Sequence, residues 1–319
     1  MAGFFACNLL ANLMRIKKIV SALLFTLVTY GCFAASTADT VIIRSHLKAI
    51  SKTGQYRTHK NIDQLNSTAA YIKTIVEQYA DSVNLQEYTV DGKTYKNVIC
   101  SFGTNHQKRI IVGAHYDVCG NQEGADDNAS GVVGLLELAR LLKGQKLNHR
   151  IDLVAYTLEE PPYFRTEYMG SYIHAKSLAD SGVAVYGMIS LEMIGYFKDE
   201  KKSQSYPLGL LSLFYGSKGN YITLVKKFGA GKFVNEFCKT FKSSKTILTK
   251  KFSGPPSLPG IDFSDHLNYW KFGFSALMIT DTSFYRNKNY HEVTDTMETL
   301  DVFRMAKVID GVFRTLVML

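Results

Sequence analysis

Histidine and carboxylate residues recur in short clusters along this 319-residue chain. The first cluster is HYD at residues 115–117, which directly follows an apolar run at residues 110–114. A glycine-rich loop then delivers Asp126 and Asp127 just before an apolar, helix-like segment. Imidazole and carboxylate groups are the ligands that zinc takes in catalytic sites. The cluster therefore predicts a divalent metal site at the carboxyl end of a buried strand.

Four further polar residues each follow an apolar run that is typical of a strand. Sites in open α/β sheets lie in the crevice beyond the carboxyl ends of the strands. A single His or a Glu pair at such a position is usually structural, but several buried carboxylates together are costly without a cation. Their convergence at one sheet edge therefore favours a metal. The residues are Glu159 and Glu160 after residues 151–157, Glu192 after residues 183–191, and His291 after residues 275–280.

These residues need a sheet whose strand ends meet at one edge. Unbroken apolar runs predict strands that are covered on both faces, and apolar residues at three- and four-residue spacing predict helices between them. Strands alternating with helices favour a three-layer α/β/α domain with a mixed sheet that is parallel at its centre. The expected strands are 83–90, 95–102, 109–114, 151–157, 183–191 and 275–280, and the expected helices are 37–50, 67–79, 130–142, 169–181 and 301–317.

The N-terminal 35 residues have the pattern of a signal peptide. Basic residues at positions 15–18 precede an apolar run at 19–28, and small residues follow at 32–35. The run is too short for a membrane span. We therefore expect export, to the periplasm or the medium, with no stable membrane span after cleavage and a domain at 36–319. Met14 is an alternative start, and a lipid anchor on Cys32 is the less favoured alternative.

Three cysteines remain beyond the signal: Cys100, Cys119 and Cys238. They are too few for a disulfide scaffold. One disulfide or three free thiols are open, and free thiols are favoured. None has the paired spacing of a cysteine zinc site.

A lysine-rich segment at 198–253 carries twelve lysines against three acidic residues, while the formal charge of the whole chain is +9. A solvated face is the preferred interpretation. The alternative is a positive field that attracts acidic peptides. Nucleic-acid binding is not expected, because the nearby aromatic residues have helical spacing and should face the core. These residues are Phe228, Phe233, Phe237 and Phe241, in a segment where one helix is expected at about 221–241.

Five motifs, in order and at their separations, resemble the M28 family of zinc-dependent exopeptidases. They are HYD, GADDNASG, EE, LEMIGY and NYHEVTDT. The family includes bacterial aminopeptidases and glutamate carboxypeptidases, and the resemblance covers roughly residues 60–319. The segment GIDFSDHLNYW at 260–270 is similar to a bacterial subgroup of the same family.

The resemblance implies two zinc ions per chain, with Asp126 as the bridging ligand. The bond from Asp126 to Asp127 would correspond to a cis peptide in the family. One ion would take His115 and Glu192, and the other would take Glu160 and His291. The implied ligands are His115, Asp126, Glu160, Glu192 and His291.

The same match implies three catalytic roles. Glu159 would be the general base, and Asp117 would orient the imidazole of His115. Tyr290 would hydrogen-bond the tetrahedral intermediate, or would simply pack in its loop. Two departures from the family are Glu192, where well-studied aminopeptidases have Asp, and a longer loop after Glu160.

The predicted function is a zinc-dependent exopeptidase, with aminopeptidase activity favoured, acting on peptides or small amides. One alternative on the same fold is a one-zinc glutaminyl cyclase, which shares an Asp-His segment like Asp265-His266 but normally has Trp where Tyr290 stands. Another is a catalytically silent binding module, although all the implied ligands are present. The substrate end that is recognised and the oligomeric state stay open.

Overall fold

A mixed sheet positions every candidate site residue. In the computed structural model, which describes residues 37–319, eight strands form one sheet in the order β1-β2-β4-β3-β5-β8-β6-β7. The central strands β4, β3, β5 and β8 are mutually parallel. The strands are β1 Ser82–Val90, β2 Lys93–Phe102, β3 Arg109–His115, β4 Arg150–Tyr156, β5 Val185–Glu192, β6 Ile222–Lys227, β7 Thr249–Gly254 and β8 Ala276–Thr280.

Antiparallel pairs flank this parallel centre. Strand β1 pairs with β2, β2 with β4, and β6 with β8 in antiparallel register, while β6 and β7 are parallel. The β1–β2 turn lies at Asp91-Gly92, between the two strands expected at 83–90 and 95–102, and both residues have positive φ, 49° and 73°. Such a two-residue turn matches the twist of the flanking strands. The mixed, centrally parallel sheet confirms the predicted fold class.

Helices cover both faces of the sheet. In β3, the side chains of Ile110 and Val112 belong to one core cluster, whereas Ile111 belongs to another. Successive strand residues point to opposite faces of the sheet. Each cluster therefore forms where one helical layer packs against one face of the sheet. The helices are α1 Thr40–Ser51, α2 Ile62–Val76, α3 Gly131–Leu142, α4 Gly170–Asp180, α5 Leu211–Tyr215, α6 Lys232–Ser243, α7 His266–Lys271 and α8 Val302–Met318.

The lysine-rich segment differs from the expectation. The single helix expected at about 221–241 is wrong, because residues 222–227 form β6 and the helix α6 begins only at Lys232. Gly229 and Gly231, with φ of 67° and 94°, separate the two elements. Phe233, Phe237 and Phe241 of α6 are buried, as expected, whereas Phe228 precedes the helix and is exposed.

The start of α3 also differs. A helix was expected from Ser130, but residues 125–130 form an irregular turn and the regular helix begins at Gly131. A Cβ atom at Gly131 would lie 2.6 Å from the carbonyl oxygen of Leu191. Glycine therefore lets the helix approach the end of β5.

Several predictions concern the ends and thiols of the chain. The predicted signal at residues 1–35 lies outside the described residues, so export stays a prediction. Among residues 37–319, no helix is long and apolar enough to span a bilayer. Cys100, Cys119 and Cys238 are all free thiols, which confirms the favoured interpretation.

Candidate metal centre

The carboxylate of Asp127 lies between two imidazoles. Its Oδ1 is 3.3 Å from Nε2 of His115, and its Oδ2 is 3.2 Å from Nε2 of His291. His115 ends β3, whereas His291 lies in the long loop after β8. One short side chain thus connects two elements that are 176 residues apart along the chain.

Each imidazole has its own glutamate. Oε2 of Glu192 lies 3.5 Å from Nε2 of His115, and Oε2 of Glu160 lies 3.2 Å from Nε2 of His291. Glu192 is the last residue of β5, and Glu160 follows β4. The grouping of the four side chains into two pairs is the grouping that the family resemblance implied.

Asp126, the residue expected between the imidazoles, points elsewhere. Its Oδ1 accepts a hydrogen bond from the amide of Gly195 at 3.0 Å, and its Oδ2 accepts one from Nδ2 of Asn287 at 2.7 Å. Asp127 occupies the place expected for Asp126, and the cis peptide bond is Asp127-Asn128 rather than Asp126-Asp127. The expectation was therefore one residue too early in the chain.

The backbone of the Asp-Asp pair is held by a third carboxylate. Asp295 accepts the amide of Asp126 with Oδ1 and the amide of Asp127 with Oδ2, both at 3.0 Å. Burial, together with the negative charge of Asp126, raises the pKa of Asp295 to about 8. A two-point contact of this kind fixes the direction in which each aspartate side chain leaves the turn.

A buried arginine holds the loop between β3 and the Asp-Asp pair. Arg57 donates from Nε to the carbonyl of Tyr116 at 2.8 Å, and from Nη1 to those of Ile50 at 2.9 Å and Glu123 at 2.8 Å. Its Nη2 donates to the carbonyl of Gly124 at 3.0 Å. Arg57 thus acts as a clamp: three of these hydrogen bonds hold the two ends of the loop, and the bond to Ile50 connects it to α1.

Asp117 and the acid pair after β4 are joined by the backbone. Oδ1 of Asp117 accepts the amide of Glu159 at 3.2 Å, and its Oδ2 accepts that of Glu160 at 3.1 Å. Oδ1 also lies 3.6 Å from Nδ1 of His115. Asp117 thus lies on the Nδ1 side of His115, away from the Nε2 atom that faces the cluster, where it can orient the imidazole ring.

Left-handed backbone conformations occur beside three site residues. Leu158 has φ of 62° just before Glu159, and Met193 has φ of 50° just after Glu192. His291 itself has φ of 60°. Residues other than glycine are rarely found there and are held by their surroundings, often at functional sites. The local strain turns the strand ends so that their acidic side chains face the same space.

Glu159 lies on the His115 side of the cluster. Its Oε2 is 3.8 Å from Nε2 of His115, and the residue is 7% exposed. Burial, with Glu192 and Glu160 nearby, raises the pKa of Glu159 well above its ordinary value despite the opposing effect of His115. A carboxyl group with a raised pKa holds a proton more readily than an ordinary glutamate, as a general acid-base group must.

The residues fit a bound cation. Burial, and then the charge of Asp127, raises the pKa of Glu160 to about 8. Four buried atoms of the cluster have no hydrogen-bond partner, although buried polar atoms are normally paired. Imidazole and carboxylate are donors that suit zinc, so divalent cations would satisfy both the charge and the orphaned atoms. These atoms are Nε2 of His115, Oδ2 of Asp127, Oε1 of Glu160 and Nε2 of His291.

A cavity of about 220 Å³ opens from the cluster. The four carboxylates of Asp127, Glu159, Glu160 and Glu192 line one end, and aromatic side chains line much of the remainder. Tyr290 is in this lining, and its ring stacks on that of His291 with centroids 3.8 Å apart. The aromatic lining residues are Phe164, Tyr206, Tyr215, Tyr221, Phe252, Phe263, Phe284, Tyr285 and Tyr290.

Several supporting contacts could not be predicted from the sequence, although Asn128, Ser264 and Asp295 lie within the motifs GADDNASG, GIDFSDHLNYW and NYHEVTDT. Ser264 donates to Oε2 of Glu192 at 2.8 Å, and Asn128 donates to the carbonyl of Leu191 at 2.9 Å. Arg57 and Asp295 likewise act through backbone atoms of remote loops. A sequence motif shows which residues have suitable chemistry, but such contacts appear only when the loops are folded together.

The chain is similar to known proteins in sequence. The model of peptidase family M28 matches residues 97–316. The Escherichia coli (strain K12) protein YfbL is 43% identical over 278 residues, covering 85% of each chain. A "probable leucine aminopeptidase" of Trichophyton verrucosum (strain HKI 0517) is 26% identical over 272 residues, covering 80% of this chain and 67% of that relative.

Solved structures share the fold. The LapA aminopeptidase of Legionella pneumophila has a TM-score of 0.68 at 18% identity, covering 88% of this chain and 72% of its own. Bacterial glutaminyl cyclases match with TM-scores of 0.63 to 0.65 at 16 to 20% identity. At these identities the likeness concerns the architecture alone.

The clamp at Arg57 gives a testable prediction. Arg57→Lys keeps the charge but cannot make the four hydrogen bonds of the planar guanidinium. Because a hydrogen bond to a charged group contributes about 1.5–3 kcal/mol, we expect the free energy of unfolding to fall by about 2–4 kcal/mol. Urea denaturation measures it. Arg304→Lys, at a partly exposed pair with Asp199, is the matched control, and equal losses in both variants would contradict the prediction.

Proposed function

The chain belongs to peptidase family M28, and from its site we propose that it is a zinc-dependent exopeptidase that acts as an aminopeptidase. The observation that carries the proposal is the pairing of His115 with Glu192 and of His291 with Glu160 on either side of Asp127. This arrangement offers two cation positions that share one carboxylate. The fold relatives alone would leave the number of ions open.

The ligands follow from this geometry. His115 and Glu192 would hold one zinc ion, Glu160 and His291 would hold the other, and Asp127 would bridge them. When bound, two such ions polarise the carbonyl of the substrate and make a nearby water more acidic. Asp117 keeps the imidazole of His115 turned towards the cluster, and Asp295 keeps Asp127 between the imidazoles.

Glu159 is the proposed general base. Its Oε2 would take the proton of the attacking water and deliver it to the nitrogen of the leaving amine. Because Glu159 and Glu160 are adjacent, an extended chain turns their side chains to different sides, and Asp117 fixes both backbone amides. One glutamate is thereby free for proton transfer while its neighbour is committed to a ligand position.

The charge of the cavity favours the amino end of a substrate. Its lining contains four carboxylates and, among the described residues, no lysine or arginine. The bound ions would neutralise the three ligand carboxylates, so Glu159 would remain to attract a substrate ammonium, whereas a terminal carboxylate would meet no lysine or arginine. None of the twelve lysines of segment 198–253 belongs to the lining. This supports aminopeptidase over carboxypeptidase activity.

The remaining walls favour a large apolar side chain. An apolar cavity of about 150 Å³ already accommodates benzene, and this one measures about 220 Å³. Tyr221, Phe252 and Met278 lie among its walls beyond the carboxylates. The proposed substrate is therefore a peptide whose N-terminal residue is leucine-like or aromatic.

The metal content is the first prediction from this proposal. Two cation positions should give close to two zinc ions per chain after dialysis, measured by elemental analysis. His115→Ala should lose at least one ion, since it removes an imidazole that no neighbour replaces. His149→Ala, a half-buried histidine outside the cluster, should retain both. A single tightly bound zinc ion per chain in the native protein would contradict the two-ion site and would favour the one-zinc cyclase.

Substitutions of the two adjacent glutamates should affect different quantities, turnover in one case and metal affinity in the other. Glu159→Gln preserves shape but cannot accept the proton, so we expect kcat to fall by about 100–10,000-fold with both ions retained. Glu160→Gln removes a ligand charge, so metal affinity should fall at least about tenfold and excess zinc should restore part of the activity. Glu298→Gln, at an exposed pair with Lys52, is the control. Near-normal turnover of Glu159→Gln would refute its role.

Substrate panels test the activity itself. Leucyl and phenylalanyl arylamides with a free amine should be hydrolysed, and N-acetylation should abolish hydrolysis by removing the ammonium. Aspartyl and lysyl arylamides should have lower kcat/KM, because their charges would enter an apolar cavity. Dipeptides blocked at the amino end should be inert. Cyclisation of glutaminyl peptides, measured by the ammonia that it releases, would indicate a cyclase instead.

We also propose export of the protein. The proposal rests on the basic and apolar opening of the sequence at residues 15–28. Cleavage is expected near Ala34 or Ala35, and N-terminal sequencing of material from the periplasm or medium measures it. An acylated Cys32 would indicate a lipoprotein, and uncleaved protein in the cytoplasm would rule export out.

A further inference from the structure

A thiol lies beside one half of the candidate metal centre. Ligand atoms of Cys119, Glu160 and His291 all lie within 4.8 Å of one another. Cys119 is half-buried, two residues beyond Asp117 in the loop that Arg57 clamps. The backbone amide of Val118 also donates to the carbonyl of Arg57 at 3.1 Å. The position of the thiol is therefore set by the folded loop.

A second observation indicates that something binds at this place. Glu160 is 4% exposed, and its Oε1 has no hydrogen-bond partner. The Nε2 atom of His291 has none either. An unpartnered carboxylate oxygen and imidazole nitrogen next to a sulfur atom match the mixed donor sets that zinc accepts.

The two halves of the centre differ in this respect. Ligand atoms of His115, Asp127 and Glu160 form the other close group among the described residues, and Cys119 is not a member of it. The His115 half therefore offers nitrogen and oxygen donors only. The His291 half adds a soft sulfur donor, which favours zinc or cadmium over harder cations.

We propose that Cys119 is a ligand of the cation at His291, together with Glu160. The inference rests on the proposed metal site, but none of the motifs shared with the family includes this cysteine as a ligand. Zinc–ligand distances of about 2.0–2.3 Å require tetrahedral ligand atoms roughly 3.3–3.6 Å apart. A shift of about 1 Å, available by side-chain rotation in a partly exposed loop residue, meets this requirement.

The proposal makes the two cation positions unequal. Cys119 adds a thiolate at the His291 position, whereas the close group around His115 contains no sulfur donor. The ion at His291 would thus be held more tightly, and the ion at His115 would exchange more readily.

Cobalt is the probe for this thiol. Dialysed full-length protein is loaded with Co²⁺, which absorbs weakly in the visible range with nitrogen and oxygen ligands and adds a strong near-ultraviolet charge-transfer band when a thiolate binds. We expect this band in the native sequence and its loss in Cys119→Ser. Cadmium titration should show the tighter of two sites weakened at least about tenfold in that variant. Cys238→Ser, a buried thiol on α6, should keep the band.

The outcomes separate this proposal from the one on which it rests. Visible cobalt absorption without the near-ultraviolet band, or a band that persists in Cys119→Ser, overturns the thiol ligand and leaves the metal site standing. Failure of Co²⁺ and Cd²⁺ to bind the native protein overturns both proposals. Cys119→Ala, which lacks any donor atom, repeats the test if serine itself coordinates the cation.

Discussion

The carboxylates of Asp127, Glu159, Glu160 and Glu192 are buried around two imidazoles, and their charge governs how the surrounding chain is built. Burying one unpaired carboxylate already costs several kcal/mol, so four of them require compensation by protons or cations. Burial alone would lower the pKa of His115, but the carboxylates of Glu192 and Glu159 outweigh it and raise the pKa well above its ordinary value. The fold therefore keeps a strongly negative pocket that favours the binding of cations.

Such a pocket survives only if its ligands cannot turn away from one another. The chain achieves this mainly with backbone contacts: Asp295 holds two amides of the Asp-Asp turn, and Asp117 holds two amides of the acid pair. Arg57 adds a buried cation to this scaffold and binds carbonyl groups, not the ligands themselves. Its charge stays near the cluster without occupying a cation position. Arg57 also lies before residues 97–316, the part that matches the family model, so the preceding α1–α2 region contributes directly to the site.

The sequence predicted the sheet and the chemical types of the site residues because both depend on local patterns. Unbroken apolar runs identified β3, β4, β5 and β8, and the polar residues at their ends followed from the sheet rule. The choice between Asp126 and Asp127 failed for a physical reason: two adjacent carboxylates have the same chemistry, and only remote partners such as Gly195 and Asn287 decide which one turns inward. Strands β6 and β7 were missed because lysines interrupt their apolar patterns, and only a short segment with Gly229 and Gly231 separates β6 from α6.

The residues that line the aromatic cavity also could not be predicted from local sequence patterns. Its walls come from the loop after β4, from the segment before β6, from β7 and from the loop after β8, which are far apart in the sequence. The lysine-rich segment supplies aromatic residues to this wall while its lysines stay outside it. The high charge of the segment is thus compatible with an apolar cavity wall, since its lysines are not among the lining residues. The net charge of the segment therefore does not describe the charge inside the cavity, which is set by the carboxylates that line it.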